Sequence, residues 1–349
     1  MDFEKEIPKM CVRDDENMGK HIGIFDEGRL IACMGIYPFD TRVLDEELKF
    51  ATTGNIAVHW DYEGRGYMGE MLDFAMQELD RLKIDVARLG GLRSRYNRYG
   101  FESCGQAYCF TFTAKNRLNK LSHLNSDVCF KQITPEDKEW IAFSSELYNK
   151  NAIRVPRTPE NAYLSLTMWQ NTPYIALIGS TPIGYLSTKG AEVAEIFGVD
   201  TDALANIVCS WQKQCDTNVT FSLQAHQIDA VRFFTTVCEY SAVRSPSHFF
   251  IRNFEKTVDA FLKLKASYQQ LPAGELRIGI SDYGTIRLVV DGAEAYCERT
   301  DLPADITLDR LSVHRYIFGP FPPVYTAEAS ALAQAWCPLP LGWTGQDRV

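Results

Sequence analysis

Between Asn55 and Leu82 the apolar and polar positions change period abruptly. Asn55-Ile-Ala-Val58 reads as a strand and Glu63-Gly-Arg-Gly66 as a turn with two glycines. Met68, Leu72, Ala75, Leu79 and Leu82 then fall at three- and four-residue spacing, with Glu70, Asp73, Gln77 and Asp80 between them. That spacing predicts an amphipathic helix starting near Gly64. A helix start leaves its first N–H groups unpaired and adds partial positive charge, and Gly64 and Gly66 let a ligand approach the backbone closely. A pyrophosphate fits such a place; ordinary helix capping fits the same residues.

The same patterning divides the chain into three expected lobes, 1–120, 121–248 and 249–349. In the first, His21 to Phe25 and Leu30 to Ile36 read as a hairpin that leads to the glycine-bearing segment. A polar connector from Arg117 to Asp127 follows it. In the second, Asp137 to Asn149 reads as a helix, Tyr174 to Ile178 and Pro182 to Leu186 as a hairpin, and Val193 to Val199 as a strand. A helix from Asp202 to Cys215 then starts on Val199-Asp-Thr-Asp202, which repels a pyrophosphate and suits an N-cap. In the third, Lys256 to Leu271 is an amphipathic helix, Glu275 to Ser281 and Thr285 to Val290 are strands, and Asp309 to Gly319 is a late helix.

Composition narrows the function classes. With 349 residues, 46% of them hydrophobic, the chain has material for two or three packed domains. No apolar run reaches membrane-spanning length, and the acidic start lacks the basic and apolar regions of a secretory signal, which points to the cytoplasm and away from a membrane. Ten cysteines with no Cys-x-x-Cys pair point to free thiols and no metal site. A net charge of −9 argues against a nucleic-acid surface and suits cationic amines.

After the predicted helix, Asp85-Val-Ala-Arg-Leu-Gly-Gly-Leu-Arg-Ser-Arg-Tyr-Asn-Arg-Tyr-Gly-Phe101 gives a strand, a glycine pair, a basic patch and a Tyr-x-x-x-Gly-Phe segment starting at Tyr96. Together with Val58 to Leu72 this resembles the GCN5-related N-acetyltransferases (GNAT), and within them the bacterial Eis-like branch. The resemblance implies an α+β / α/β fold. It comprises two GNAT-like mixed-sheet lobes, the first shortened at its N-terminus and the second without a coenzyme loop, and a sterol-carrier-like C-terminal α+β domain. Family members carry a strand and two helices ahead of the region matching Met10 to Tyr37, whereas this chain begins at what reads as the end of the second helix, Phe3 to Pro8. Most of the front wall of the acceptor pocket is then expected to be missing, through truncation or through loss.

The resemblance also implies a mechanism. Acetyl-CoA is the co-substrate. Its pantetheine arm would pair with Ile56, Ala57 and Val58, and its pyrophosphate would rest on the loop of Glu63, Gly64, Arg65, Gly66, Tyr67, Met68 and Gly69. Tyr96 would protonate the departing thiolate, a task suited to a phenol of reference pKa about 10. The terminal carboxylate of Val349 would accept the amine's proton. The acceptor would be a primary amine, aminoglycoside-like or a protein lysine, acetylated by direct transfer, and the assembly a homo-oligomer, a trimer or a hexamer.

One position departs from the family loop, which carries Arg or Gln where this chain has Glu63. A carboxylate roughly 6 Å from a phosphate would cost about 3 kcal/mol at an effective dielectric near 20, about a hundredfold in affinity. Pointed to solvent and neutralised by Arg65, it would be harmless. A catalytically impaired acetyl-CoA-binding or regulatory protein is therefore the alternative, and lipid binding by the third lobe is a further one. Arg93, Arg95 and Arg98 read equally as a phosphate patch or as exposed surface, His59 as a packing residue, and Cys104 and Cys109 as buried thiols.

Overall fold

The computed structural model describes residues 3–124, 127–292 and 294–347. Among them two compact units form, and neither is one continuous stretch of chain. The first draws on residues 12–106 and 245–341, the second on residues 3–11, 107–244 and 342–347.

In the first unit, His21–Asp26, Arg29–Val43 and Glu46–Val58 form an antiparallel meander. Val86–Leu89 joins Glu46–Val58 in parallel, after the helix Tyr67–Arg81 has crossed between them. Next comes Ser247–Ile251, antiparallel to Val86–Leu89 on one side and to Glu102–Cys104 on the other. The helix buries Met71, Leu72, Ala75 and Leu79 against Ala32, Met34, Ile36 and Ala87 of the sheet, with Met68 and Leu82 partly buried beside them. This is the stripe that the spacing predicts. Its start lies at Tyr67, three residues later than expected, because a 3-10 turn at Trp60–Tyr62 and the two left-handed glycines take up the intervening chain.

The same unit holds a smaller sheet in the order Ala295–Thr300, Gly284–Val290, Gly274–Ile280, Ile306–Leu308, covered by the helix Phe254–Tyr268. Phe261, Leu262 and Leu264 of that helix are buried. The helix Arg310–Phe318 is capped by the Asp309 carboxylate, which accepts from the N–H groups of Leu311 and Ser312.

The second unit is built on a seven-stranded sheet, ordered Tyr240–Arg244, Ala107–Phe112, Val219–Leu223, Glu192–Gly198, Thr181–Lys189, Thr172–Ile178, Val128–Gln132. All three sheets are mixed, as the fold class requires. The helix Thr201–Cys215 starts on Asp200, whose carboxylate accepts from Ala203 N–H at 2.7 Å, the N-cap expected of that entry. Part of the stretch read as a polar connector is helical instead, Ala114–Lys120. There Thr113 and Asn116 each satisfy the other's backbone N–H, a reciprocal cap that holds a helix too short to show periodicity.

Candidate functional site

The strand Glu46–Val58 meets Val86–Leu89 only from Phe50 to Thr53. Beyond Thr53 that edge has no strand partner among the described residues. On its other side the register shifts between Cys33 and Gly35, and Asn55 opposite takes a left-handed φ of 55°. Such a bulge re-aims the strand. Ala57 and Val58 stay paired with Cys33 and Ala32 on that side, so the segment from Ile56 to Val58 keeps only its other backbone edge open.

The chain then turns through Glu63, Gly64 (φ 76°) and Gly66 (φ 92°) into the helix Tyr67–Arg81. Gly66 is the N-cap residue and supplies no side-chain cap. The N–H groups of Gly69 and Glu70 both turn to Gly66 O, at 2.8 and 3.2 Å, which leaves those of Tyr67 and Met68 without an acceptor among the described residues. A Cβ on Gly64 or Gly66 would meet nothing within 4 Å. At the corresponding turn of the second unit, a Cβ on Gly198 would lie 2.5 Å from Leu204 N. Only the first turn combines an uncapped helix start with open space.

A cleft of about 970 Å³ occupies that space. Ile56, Ala57, Val58, Glu63, Gly64, Gly66, Tyr67, Met68 and Gly69 line it, joined by Tyr62, Asp73, Arg95, Arg98 and Tyr99. Of the loop residues singled out in the sequence, Arg65 alone is absent from the lining. Its guanidinium donates to Asp61 O at 2.9 Å and sits 4.8 Å from the centre of the Tyr62 ring. Tyr62 in turn donates to the Asp26 carboxylate at 2.8 Å, which raises the phenol's pKa. Asp73 carries a signal that the sequence already held, since it falls on the helix face of Gly66 and Gly69 at three- and four-residue spacing.

The three arginines of the basic patch separate. Arg93 makes a two-point ion pair with the buried Glu102 carboxylate, at 2.5 and 2.7 Å. Glu102 also accepts from Ser103 N–H at 2.7 Å and from Arg315. Burial pushes its carboxyl up, but the hydrogen bonds and the two cations outweigh that and hold it below the ordinary value. Arg95 and Arg98 turn to the cleft instead. Arg98 lies 4.9 Å from the centre of the Tyr99 ring, and the Tyr99 hydroxyl stands 3.3 Å from where a Cβ on Gly69 would be, beside the helix start.

Tyr96 lies elsewhere. It is 5% exposed, its ring belongs to the core packed under the helix, and it is outside the cleft lining. Val349 lies outside the described residues. His59 stacks 4.0 Å from Trp60 and bonds to Arg29, the packing and hydrogen-bonding residue expected. Cys104 is buried, and burial raises its thiol pKa well above the ordinary value, so it is no thiolate nucleophile at neutral pH.

Near the end of the chain, Asp347 is buried in the second unit. It accepts from Tyr148 at 2.5 Å and from Arg157 at 3.3 Å, while Arg157 forms a two-point pair with Glu195 at 2.6 and 2.7 Å. Gln346 donates to Leu166 O at 2.7 Å and to Ser187 Oγ at 2.8 Å. No group of three or more metal-ligating side chains occurs among the described residues, and none of their helices is long and apolar enough to cross a membrane.

Residues 7–104 match the family model described as the acetyltransferase (GNAT) domain. Solved structures share the fold over almost the whole chain. The GCN5-related N-acetyltransferase of Anabaena variabilis superposes with a TM-score of 0.63 at 15% identity, covering 98% of this chain and 91% of that one. Eis1 of Mycobacterium abscessus does so with a TM-score of 0.61 at 16% identity, covering 93% and 88%. The GCN5-related N-acetyltransferase of Kribbella flavida reaches 0.57 at 16% identity, covering 85% and 78%. No curated protein matches the chain.

Proposed function

We propose that this chain, whose residues 7–104 match a GNAT acetyltransferase domain and whose fold is shared with Eis1, transfers an acetyl group directly from acetyl-CoA to a primary amine. The observation that carries this is the cleft at the uncapped helix start. Two free N–H groups and the helix dipole face an opening flanked by glycines that leave room for a pyrophosphate. The open backbone edge at Ile56 to Val58 supports pairing with the amide-bearing pantetheine arm, as an added strand pairs with a sheet edge.

Transfer then needs two proton movements. The neutral amine attacks the thioester carbonyl, the C–S bond breaks, and the thiolate takes a proton. Tyr96 is the proposed donor, by its place in the Tyr-x-x-x-Gly-Phe segment alone, since its ring packs under the helix and outside the cleft lining. The carboxylate of Val349 is the proposed base for the amine, by the family resemblance of the chain's end; Gln346 and Asp347 shortly before it are held by buried hydrogen bonds. An alkylammonium of pKa about 10.4 is less than about a thousandth neutral at pH 7, so a positioned base speeds the reaction.

The acceptor class is proposed to be an aminoglycoside-like polyamine or a protein lysine, and the setting a cytoplasmic homo-oligomer of bacterial origin. A sterol-carrier-like role in fold alone is proposed for residues 249–349. One observation favours a second reading, an acetyl-CoA-binding protein without turnover: Glu63 is exposed, lines the cleft and makes no ion pair among the described residues.

The test is calorimetric titration with acetyl-CoA, followed by thiol release with an amine panel. Micromolar binding with turnover supports the transferase. Binding without turnover for any amine supports the second reading. In the first case Tyr96→Phe is expected to lower kcat about a hundredfold with KM unchanged. An unchanged kcat would remove Tyr96 from the mechanism.

A further inference from the structure

Arg95 and Arg98 differ from the other cations around the cleft. Arg93 is held by Glu102, and Arg65 by Asp61 O and the Tyr62 ring. The Arg95 guanidinium has no hydrogen bond or ion pair among the described residues, and that of Arg98 has only the face of Tyr99. Both are exposed and line the cleft. Two guanidinium groups left without anions at one mouth call for an anion from outside, because a fork of N–H donors matches phosphate oxygens two at a time.

Their position indicates which anion. The helix start offers two N–H groups, enough for a pyrophosphate that bridges Gly64 to Gly69. Arg95 and Arg98 come from a different segment, after the strand Val86–Leu89, and Tyr99 carries that segment up to Gly69. They thus face the helix start from the side. A ligand that fills both places carries a second phosphate apart from its pyrophosphate, and the mouth's own carboxylates, Glu63 and Asp73, cannot supply it.

Resting on the coenzyme reading above, we propose that Arg95 and Arg98 form a separate subsite for the 3′-phosphate of CoA, with Tyr99 as its floor. A phosphate monoester carries about −1.5 to −2 charge at neutral pH, so two guanidinium groups neutralise it. The subsite makes the protein selective for CoA over coenzymes that end in a bare ribose. Because it lies at an exposed mouth, salt weakens it.

The experiment is calorimetric titration of the full chain with acetyl-CoA and with acetyl-3′-dephospho-CoA, for the wild type and for Arg95→Gln/Arg98→Gln. Both side chains are exposed, so the double variant is expected to fold, which circular dichroism checks. The expected result is wild-type binding about tenfold weaker for the dephospho form, and a double variant that binds both forms equally at that weaker level. Equal affinity of the wild type for the two coenzymes would overturn the subsite while leaving the coenzyme reading in place. So would a double variant that still discriminates. Binding of neither coenzyme to the wild type would overturn the coenzyme reading and the subsite with it.

Discussion

Arg65 does not pair with Glu63, although only Gly64 separates them: its guanidinium donates to Asp61 O at 2.9 Å and rests on the Tyr62 ring. Glu63 therefore brings an uncompensated carboxylate to the cleft. Water screens an exposed charge strongly, which reduces its effect well below that of a buried one. Glu63→Gln is expected to tighten acetyl-CoA binding about three- to tenfold, with a smaller gain in 0.5 M salt. Titrations at two salt concentrations measure this, and an affinity that falls would show that Glu63 makes a favourable contact.

Gly66 takes a φ of 92° in a place where an added Cβ meets no atom. The cost of Gly66→Ala is thus backbone strain alone, about 1–2 kcal/mol. Urea unfolding is expected to show that loss. Coenzyme affinity is expected to drop further, because the methyl group enters the space beside the free N–H groups of Tyr67 and Met68. A variant as stable as the wild type would contradict the left-handed turn.

His314 is fully buried, with Nε2 accepting from Ile251 N–H at 2.8 Å and Nδ1 against Arg310 O. Burial lowers its pKa from 6.5 to about 4. The unfolded chain thus binds a proton that the folded chain refuses between those values. The stabilisation is complete above about pH 6.5 and is lost as pH falls toward 4, about 2 kcal/mol by pH 5. Unfolding free energies at pH 7 and pH 5 check the loss, and an NMR titration of the ring is expected to stay flat through pH 6. His226, also lowered to about 4 by burial, adds to the effect in the same direction.

Arg157 joins Glu195 and Asp347 in a site where all three side chains are at most 1% exposed. Arg157→Met leaves two buried carboxylates facing each other with their main cation gone. A loss of about 3–5 kcal/mol is expected, as for other broken buried pairs. Denaturant unfolding measures it. Limited proteolysis is expected to cut the tail after Leu341 sooner, because Asp347 loses its anchor.

Much of the cleft was legible in the sequence. The strand at Ile56 to Val58, the glycines at 64 and 66 and the apolar stripe from Met68 to Leu82 are local features, set by backbone freedom and by a 3.6-residue period. The reading of Arg93, Arg95 and Arg98 stayed open because their segment is two short turns, Arg93–Tyr96 and Asn97–Tyr99, with no period long enough to assign faces. The same shortness hid that Tyr96 enters the core while Tyr99 lines the cleft.

The sequence by itself determined the pieces: a strand, a turn with two glycines and an amphipathic helix in immediate succession, in an acidic chain with no Cys-x-x-Cys pair. Their assembly was decided by pairing between distant segments. Ser247–Ile251 inserts between Val86–Leu89 and Glu102–Cys104, while Ala107–Phe112 leaves for the other sheet. Backbone hydrogen bonds between strands carry no sequence code, so a strand's neighbour is fixed only when its buried face meets a matching one. The sorting of the three arginines follows from the same step, since Glu102 reaches Arg93 and Arg315 only from its place on that sheet.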